Sequence, residues 1–161
     1  MNLTWRLANL TDVDLLAELN QELIQDEGGC GSLALPQLSE RMRNWLQNGY
    51  RGVLFAETDD VVAYALYCFA EKAEGDRFIF LRHFYVQRAR RRKGIGREAV
   101  RLLLSEVLPP GSRILLDVLF ENQVGREFWR NLGFKEHCLT LEWQPSCGEA
   151  KLNTQRGETA G

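Results

Sequence analysis

Several features that define common protein classes are missing from this 161-residue sequence. No apolar run approaches the ~20 residues needed to cross a bilayer. The first residues also lack the basic-then-apolar order of a signal peptide. No CxxC pair occurs, which argues against a disulfide framework or a zinc site for Cys30, Cys68, Cys138 and Cys147. We therefore expect reduced thiols in a cytoplasmic protein that holds no metal and contacts no membrane.

The charge of the chain is small in total but unevenly distributed. The formal net charge is −2, yet residues 1–50 carry seven acidic and three basic side chains. Residues 77–101 carry nine arginines or lysines and one acid, Glu98. A basic stretch inside an acidic protein favours a local binding site for a polyanion. The alternative is a solvated charged surface without a ligand.

Hydrophobic periodicity predicts one α/β domain over residues 1–144, followed by a polar and loose tail over 145–161. Strands are expected at 3–7, 53–56, 61–69, 78–86, 114–119 and 137–143. Helices are expected at 13–27, 36–48, 95–107 and 124–132. Strands joined by hairpins run antiparallel, whereas strand–helix–strand connections are parallel crossovers. The pattern therefore predicts a mixed, mostly antiparallel sheet with helices on both faces.

The loop after the strand at 78–86 combines three properties of an anion site. Gly94 and Gly96 allow a tight turn and a close approach to a ligand. The helix that starts there presents unpaired amides and the positive end of its dipole. Arg91, Arg92 and Lys93 add formal charge. A pyrophosphate group is the ligand that suits all three properties.

Other phosphate-binding motifs fit this loop poorly. Gly94, Gly96 and Ala99 match the dinucleotide fingerprint, but that match alone is weak. In a dinucleotide-binding unit the glycines directly follow the first strand. Here three strands precede the motif, and seven residues separate Val86 from Gly94. No Lys-Ser or Lys-Thr pair follows the glycines, which excludes the nucleoside-triphosphate loop.

Two motifs in this chain resemble those of the GNAT superfamily of acetyltransferases. Arg91-x-x-Gly94-x-Gly96 is similar to the family's Gln/Arg-x-x-Gly-x-Gly/Ala motif, and the segment from Asn122 to Phe134 resembles its Asn…Phe-Tyr-x-x-x-Gly-Phe segment. The expected element order is also that of the family. The resemblance implies direct transfer of an acetyl group from acetyl-CoA to a primary amine. It also implies central strands, at 78–86 and 114–119, that splay apart to admit the cofactor.

The same resemblance implies a set of contacts with coenzyme A. The main chain of Phe84, Tyr85 and Val86 would pair with the pantetheine arm, and Val86 would polarise the thioester carbonyl. Asn122 suits a helix N-cap, with a cofactor contact as an additional role. The pyrophosphate would be held by one loop, whose residues are Arg91, Arg92, Lys93, Gly94, Ile95 and Gly96.

The candidate catalytic residues depart from the family pattern. Trp129 stands where many members have a tyrosine that protonates the departing thiolate, and core packing is its alternative role. Tyr85, Tyr64 and Tyr67 are other candidate acids, unless the thiolate leaves unaided. Arg82 occupies the position of a carboxylate or histidine base, and it could instead grip a substrate carboxylate. His83 has a suitable pKa for a base, but strand alternation turns it to the opposite face unless a bulge intervenes.

Two further functions remain open at this point. One is a non-catalytic, CoA-binding sensory domain, which the missing tyrosine favours. The other is nucleic-acid binding through residues 88–93, which the short basic cluster and the acidic total charge disfavour. The expected partner is a small-molecule or peptide amine rather than a nucleic acid, and a homodimer is left open.

Overall fold

The computed structural model describes residues 2–29 and 33–145. The strands are β1 (Leu3–Leu7), β2 (Tyr50–Glu57), β3 (Asp60–Glu71), β4 (Arg77–Val86) and β5 (Ile114–Leu115). The helices are α1 (Val13–Asp26), α2 (Leu35–Gln47), α3 (Ile95–Leu102) and α4 (Gln123–Asn131). A π-helical turn, Leu103–Val107, extends α3. Up to β5 and α4, the order of elements is the one that the sequence predicts.

The five strands form one sheet in the order β1-β2-β3-β4-β5. The hairpins β2–β3 and β3–β4 pair antiparallel, whereas β4 and β5, joined through α3, pair parallel. β1 and β2 also pair antiparallel although α1 and α2 connect them, so the rule of parallel crossovers is wrong for this pair. The predicted mixed and mostly antiparallel sheet is therefore confirmed. The β4–β5 ladder is short, with Ile79 opposite Ile114 and Phe80 opposite Leu115. Beyond these two pairs, the rest of β4 has no partner on that side in the described chain.

Helices cover both faces of the sheet, and each face has its own core. On one face, α1 and α2 pack over Leu54, Tyr64 and Leu66, all fully buried. On the other face, α3 packs Ile95 and Ala99 against the alternate residues of the same strands. These side chains alternate because successive residues of a strand point to opposite faces.

A β-bulge interrupts the alternation of β4. Leu66 lies opposite His83 and Tyr67 lies opposite Leu81, so Arg82 is an extra residue without a counterpart on β3. A bulge of this kind turns two consecutive side chains toward one face. Arg82 and His83 therefore both face α2, which is the exception that strand alternation alone could not predict.

The C-terminal part of the prediction needs correction. Residues 137–143 form no strand, and Leu139, Leu141 and Trp143 are exposed. The predicted strand at 114–119 shrinks to Ile114–Leu115, and both residues are half-buried. A strand this short offers a neighbouring segment little edge to pair with. Residues 146–161, most of the expected tail, lie outside the described residues.

The remaining expectations concern thiols and membranes. Cys68 and Cys138 are free cysteines, whereas Cys30 and Cys147 lie outside the described residues. Over residues 2–29 and 33–145, no helix has the length and apolar character needed to cross a membrane. In the same ranges, no cluster of three or more His, Cys, Asp or Glu side chains is arranged to hold a metal ion.

Candidate active site

The glycine-bearing loop turns directly into α3. Gly94 has a φ of 82°, a conformation that favours glycine, and it is the N-cap residue of the helix. The amide of Glu98 donates to the Gly94 carbonyl at 3.0 Å, which is the first bond of the helical ladder. The amides of Ile95, Gly96 and Arg97 precede that bond and have no partner within the helix. This end of α3 therefore presents unpaired donors and the positive end of the dipole.

Gly96 lies where little space exists for a side chain. A Cβ atom placed there would meet the Phe128 ring at 3.2 Å and the Val86 side chain at 3.6 Å. The loop, the end of β4 and α4 therefore meet at this glycine. Gly96 is therefore needed because these segments approach closely, and it does not adopt a positive φ.

The arginines of the loop do not all point outward. Arg91 donates from Nε to the Val86 carbonyl at 2.9 Å, and its Nη2 donates to Asp26 at the end of α1. The Arg91 guanidinium also lies 5.1 Å from the centre of the Tyr85 ring. Arg88 donates to the other oxygen of Asp26 at 2.7 Å. Although desolvation opposes it, hydrogen bonds from these two arginines lower the pKa of Asp26.

Other cations of the loop stay exposed. Arg92 adopts a φ of 60°, which is rare for a residue with a side chain. Arg92, Lys93 and Arg97 are exposed, and none of them pairs with a carboxylate among the described residues. The loop therefore combines free positive charge with free amides, which is the chemistry that a pyrophosphate requires.

Beside this loop, the outer side of β4 is open. The Gln87 amide donates to the Val62 carbonyl of β3 at 2.9 Å, so strand alternation turns the main-chain groups of Val86 and Phe84 the other way. They face the side on which β5 has diverged. Splayed central strands thus bring the Val86 amide and the main chain of Phe84 next to the anion loop, while the Val86 carbonyl accepts from Arg91.

Comparison with known proteins decides the family. The model of the acetyltransferase (GNAT) family matches residues 16–134. The chain belongs to the GNAT acetyltransferase family. Family membership supports acetyl transfer as its general activity. Among curated proteins, no sequence matches the chain.

Solved structures share the GNAT fold at low sequence identity. A possible acetyltransferase from Clostridium difficile 630 is 19% identical with a TM-score of 0.71, covering 91% of this chain and 99% of that chain. A predicted acetyltransferase from Clostridium acetobutylicum, solved with acetyl-CoA, is 19% identical with a TM-score of 0.70, covering 89% and 96%. The aminoglycoside N-acetyltransferase AAC(6')-Iy in complex with CoA is 14% identical with a TM-score of 0.71, covering 91% and 96%. At these identities the likeness shows the fold.

On the other face of β4, the bulge places two candidate residues of this GNAT protein side by side. The Arg82 guanidinium stacks on Trp45 of α2 at 5.2 Å from the ring centre and donates to the Tyr50 hydroxyl at 2.9 Å. The His83 ring meets the edge of Trp45 with 5.2 Å between ring centres. Trp45 therefore contacts both Arg82 and His83, although no motif in the sequence distinguishes it.

His83 is a weak base in this environment. Its Nδ1 lies 3.1 Å from the Tyr64 hydroxyl. Burial, followed by the positive charges of Arg41 and Arg82, lowers the pKa of His83 to about 3. The ring is therefore neutral near neutral pH, but it binds a proton too weakly to remove one from an ammonium efficiently.

Tyr85 is a weak acid for a related reason. Its hydroxyl donates to Glu22 of α1 at 2.5 Å. Burial and this carboxylate raise the pKa of Tyr85 to about 12. The phenol proton is held by Glu22, on the α1 and α2 side of the sheet. Nothing in the sequence pattern distinguished Glu22 from the other acids of α1.

Trp129 and Asn122 have clear local roles. Trp129 packs against Phe84, Phe128 and Phe134, with ring centres 5.0 to 5.4 Å apart. This aromatic cluster attaches α4 to β4, which agrees with the packing alternative. Asn122 accepts a hydrogen bond from the Gly125 amide at 2.9 Å and is the N-cap of α4. Its capping role is therefore confirmed, and its cofactor contact stays a prediction.

Proposed function

We propose that the chain transfers an acetyl group from acetyl-CoA to a primary amine by direct attack within a ternary complex. One observation carries the proposal: β4 diverges from β5 next to the unpaired amides at the start of α3. The pantetheine arm would pair with the main chain of Phe84 and Val86 on the open side of β4, because the main chain of Tyr85 faces β3. The pyrophosphate would bind residues 91–96. Structures of the same fold that were solved with acetyl-CoA or CoA support a CoA-type co-substrate.

In this reaction the amine lone pair attacks the thioester carbon, a C–N bond forms, and the C–S bond breaks. The Val86 amide, on the open side of β4, would hold the negative charge of the tetrahedral intermediate. The thiolate leaves as an anion, since neither Tyr85 nor Trp129 is a suitable acid. Water accepts the proton that the amine loses, since His83 is a weak base. Arg82 and His83 would then border the acceptor rather than transfer protons.

The decisive experiment measures thiol release from acetyl-CoA with a panel of amines, polyamines, amino acids and peptides. Gly94→Glu adds a side chain at positive φ and a negative charge in the loop, so we expect CoA binding to be lost. Gly111→Glu is the matched control, because Gly111 also has a positive φ, of 75°, in a turn after the π-helical segment. Both variants would lose about 1–2 kcal/mol of stability. Equal CoA affinity in the two variants would contradict the loop assignment.

A second candidate function is a CoA-binding sensor without turnover. The weak acid at Tyr85 and the weak base at His83 favour it. This candidate predicts tight CoA binding with no thiol release for any amine. Steady release with one amine would exclude it.

A further inference from the structure

Two arginines from different elements meet on the α2 face of β4. Arg82 comes from the bulge, and Arg41 comes from α2, one turn before Trp45. Their guanidinium carbons lie 5.2 and 4.9 Å from the centre of the same Trp45 ring. Desolvation, and then the positive charge of Arg82, lowers the pKa of Arg41. The two cations are therefore close enough to repel each other.

Neither cation has a carboxylate to offset this repulsion. Ten arginines of the described chain lie within 4.0 Å of a carboxylate oxygen, and Arg41 and Arg82 are not among them. Arg82 donates to the neutral Tyr50 hydroxyl, and Arg41 donates from Nη2 to the Asn20 side-chain oxygen at 2.6 Å.

The Arg41 Nε atom is buried and has no hydrogen-bond partner among residues 2–29 and 33–145. A buried donor on a cation is costly unless an anion or another acceptor satisfies it. The acid on this part of α2, Glu40, contacts Arg43 at 3.8 Å instead of Arg41. An oxyanion from outside the chain is the natural partner for the pair, because guanidinium groups bind carboxylates in bidentate fashion.

Both arginines are reachable from solvent. Arg82 is exposed, and Arg41 lines an open groove of about 470 Å³ along α2, whose lining residues are Pro36, Gln37, Glu40, Arg41, Asn44 and Trp45. Along β4, Arg82 precedes Val86 by four residues, which corresponds to about 13 Å of strand. An acceptor amine at Val86 and an oxyanion at Arg82 must therefore be separated by several bonds.

We propose that Arg41 and Arg82 bind the carboxylate of the acceptor, an inference that rests on the proposed function. The acceptor is then an amino-carboxylate whose amine is several bonds from the carboxylate, such as an ω-amino acid or a short peptide. The two arginines determine specificity, and they do not touch the reacting atoms.

The test compares matched acceptor pairs in the thiol-release assay: ε-aminocaproate against its amide, and triglycine against triglycinamide. We expect kcat/KM for each acid to exceed that for its amide by about tenfold or more, since charged hydrogen bonds are lost in the amide. Glycine should be a poor acceptor, because its amine and carboxylate are too close together. An aminoalkyl phosphate of the same length tests whether the two arginines prefer a phosphate to a carboxylate. A higher kcat/KM for the phosphate than for the carboxylate would overturn the carboxylate assignment.

The variants are Arg82→Gln and Arg41→Gln, with Arg43→Gln as the control for charge on α2. Each of the first two should raise KM for the acid about tenfold and leave KM for the amide and for acetyl-CoA unchanged. Arg82→Lys should restore part of the acid preference. An acid-to-amide ratio near one in the wild type, or a ratio that the two variants leave unchanged, would overturn the inference.

If the proposed function is wrong, a binding experiment still tests the arginine pair. If no amine releases thiol, titration calorimetry with CoA and N-acetyl-ε-aminocaproate still tests the pair. Binding of this acid but not of its amide, lost in Arg82→Gln, supports the inference without turnover. Equal or absent binding of both compounds contradicts it.

Discussion

Asp26 competes with the cofactor for the arginines of the loop, and Asp26→Asn measures that competition. In the structure, Asp26 pairs with both Arg88 and Arg91, and Arg91 also bonds to the Val86 carbonyl. A pyrophosphate that draws on Arg91 must first displace Asp26. We therefore expect the variant to bind CoA more tightly than the wild type.

The size of this gain follows from the exposure of the pair. The Asp26 side chain is 23% exposed, whereas Arg88 and Arg91 are 52% and 41% exposed. Such partly exposed ion pairs contribute about 0.2–1 kcal/mol each, because solvent screens them. Releasing Arg91 should therefore lower the dissociation constant of CoA by about two- to fivefold. The gain should shrink in high salt, where the same charges are screened.

Titration calorimetry with CoA at low and high ionic strength is the assay. Asp14→Asn is the control, because it makes the same change twelve residues earlier on α1, about 18 Å away, where Asp14 accepts a hydrogen bond from Ser39. We expect this control to leave CoA affinity unchanged. Unchanged or weaker binding by a folded Asp26→Asn protein would refute the competition, and would show that Asp26 positions Arg91 for the phosphate instead.

Two further predictions concern the weak acid and the weak base. The folded pKa of His83 is about 3, below an unfolded value of ~6.5, so the unfolded chain binds more protons between these values. Stability should therefore fall as pH drops from ~6.5 to ~4.5, by at most about 1.4 kcal/mol per pH unit, and urea denaturation of His83→Gln should lack this slope. Tyr85→Phe should lose about 1.5–3 kcal/mol of stability with the Glu22 hydrogen bond, while kcat changes less than twofold; Tyr67→Phe is the control on the opposite face of the sheet. A large fall in kcat would make Tyr85 the acid.

The sequence predicts the cofactor half of this protein better than the acceptor half. The loop with Gly94 and Gly96 is contiguous, so its chemistry can be read from neighbouring residues together with the strand and helix on either side. The acceptor half joins residues from five elements, α1, α2, β2, β3 and β4, and one bulge decides which of them meet. The bulge at Arg82 has no sequence signal in β4, where an alternating pattern would turn Arg82 and His83 apart.

The alternating segment at 137–143 failed as a prediction for another reason. Alternation identifies residues that could pair, with Leu139, Leu141 and Trp143 on one face, but it does not supply a neighbouring strand. β5 is only two residues long, so the edge on which the prediction depended is almost absent. A strand forms only when a second segment supplies hydrogen-bond partners, so an alternating pattern in one segment alone does not establish a strand.

The arginine pair also bears on the missing base. Burial, and then the charges of Arg41 and Arg82, lower the pKa of His83, because a further positive charge there is unfavourable. The acceptor amine proposed at Val86 lies about 13 Å of strand away from Arg82, where exposed charges are largely screened by salt. The charged groups nearest to Val86 are Arg91, which donates to the Val86 carbonyl, and Asp26, which pairs with Arg91. The arginine pair therefore accounts for the weak base at His83, whereas the pKa of the amine is set by the groups around Val86, and Arg82, at the position of a family base, accepts no proton.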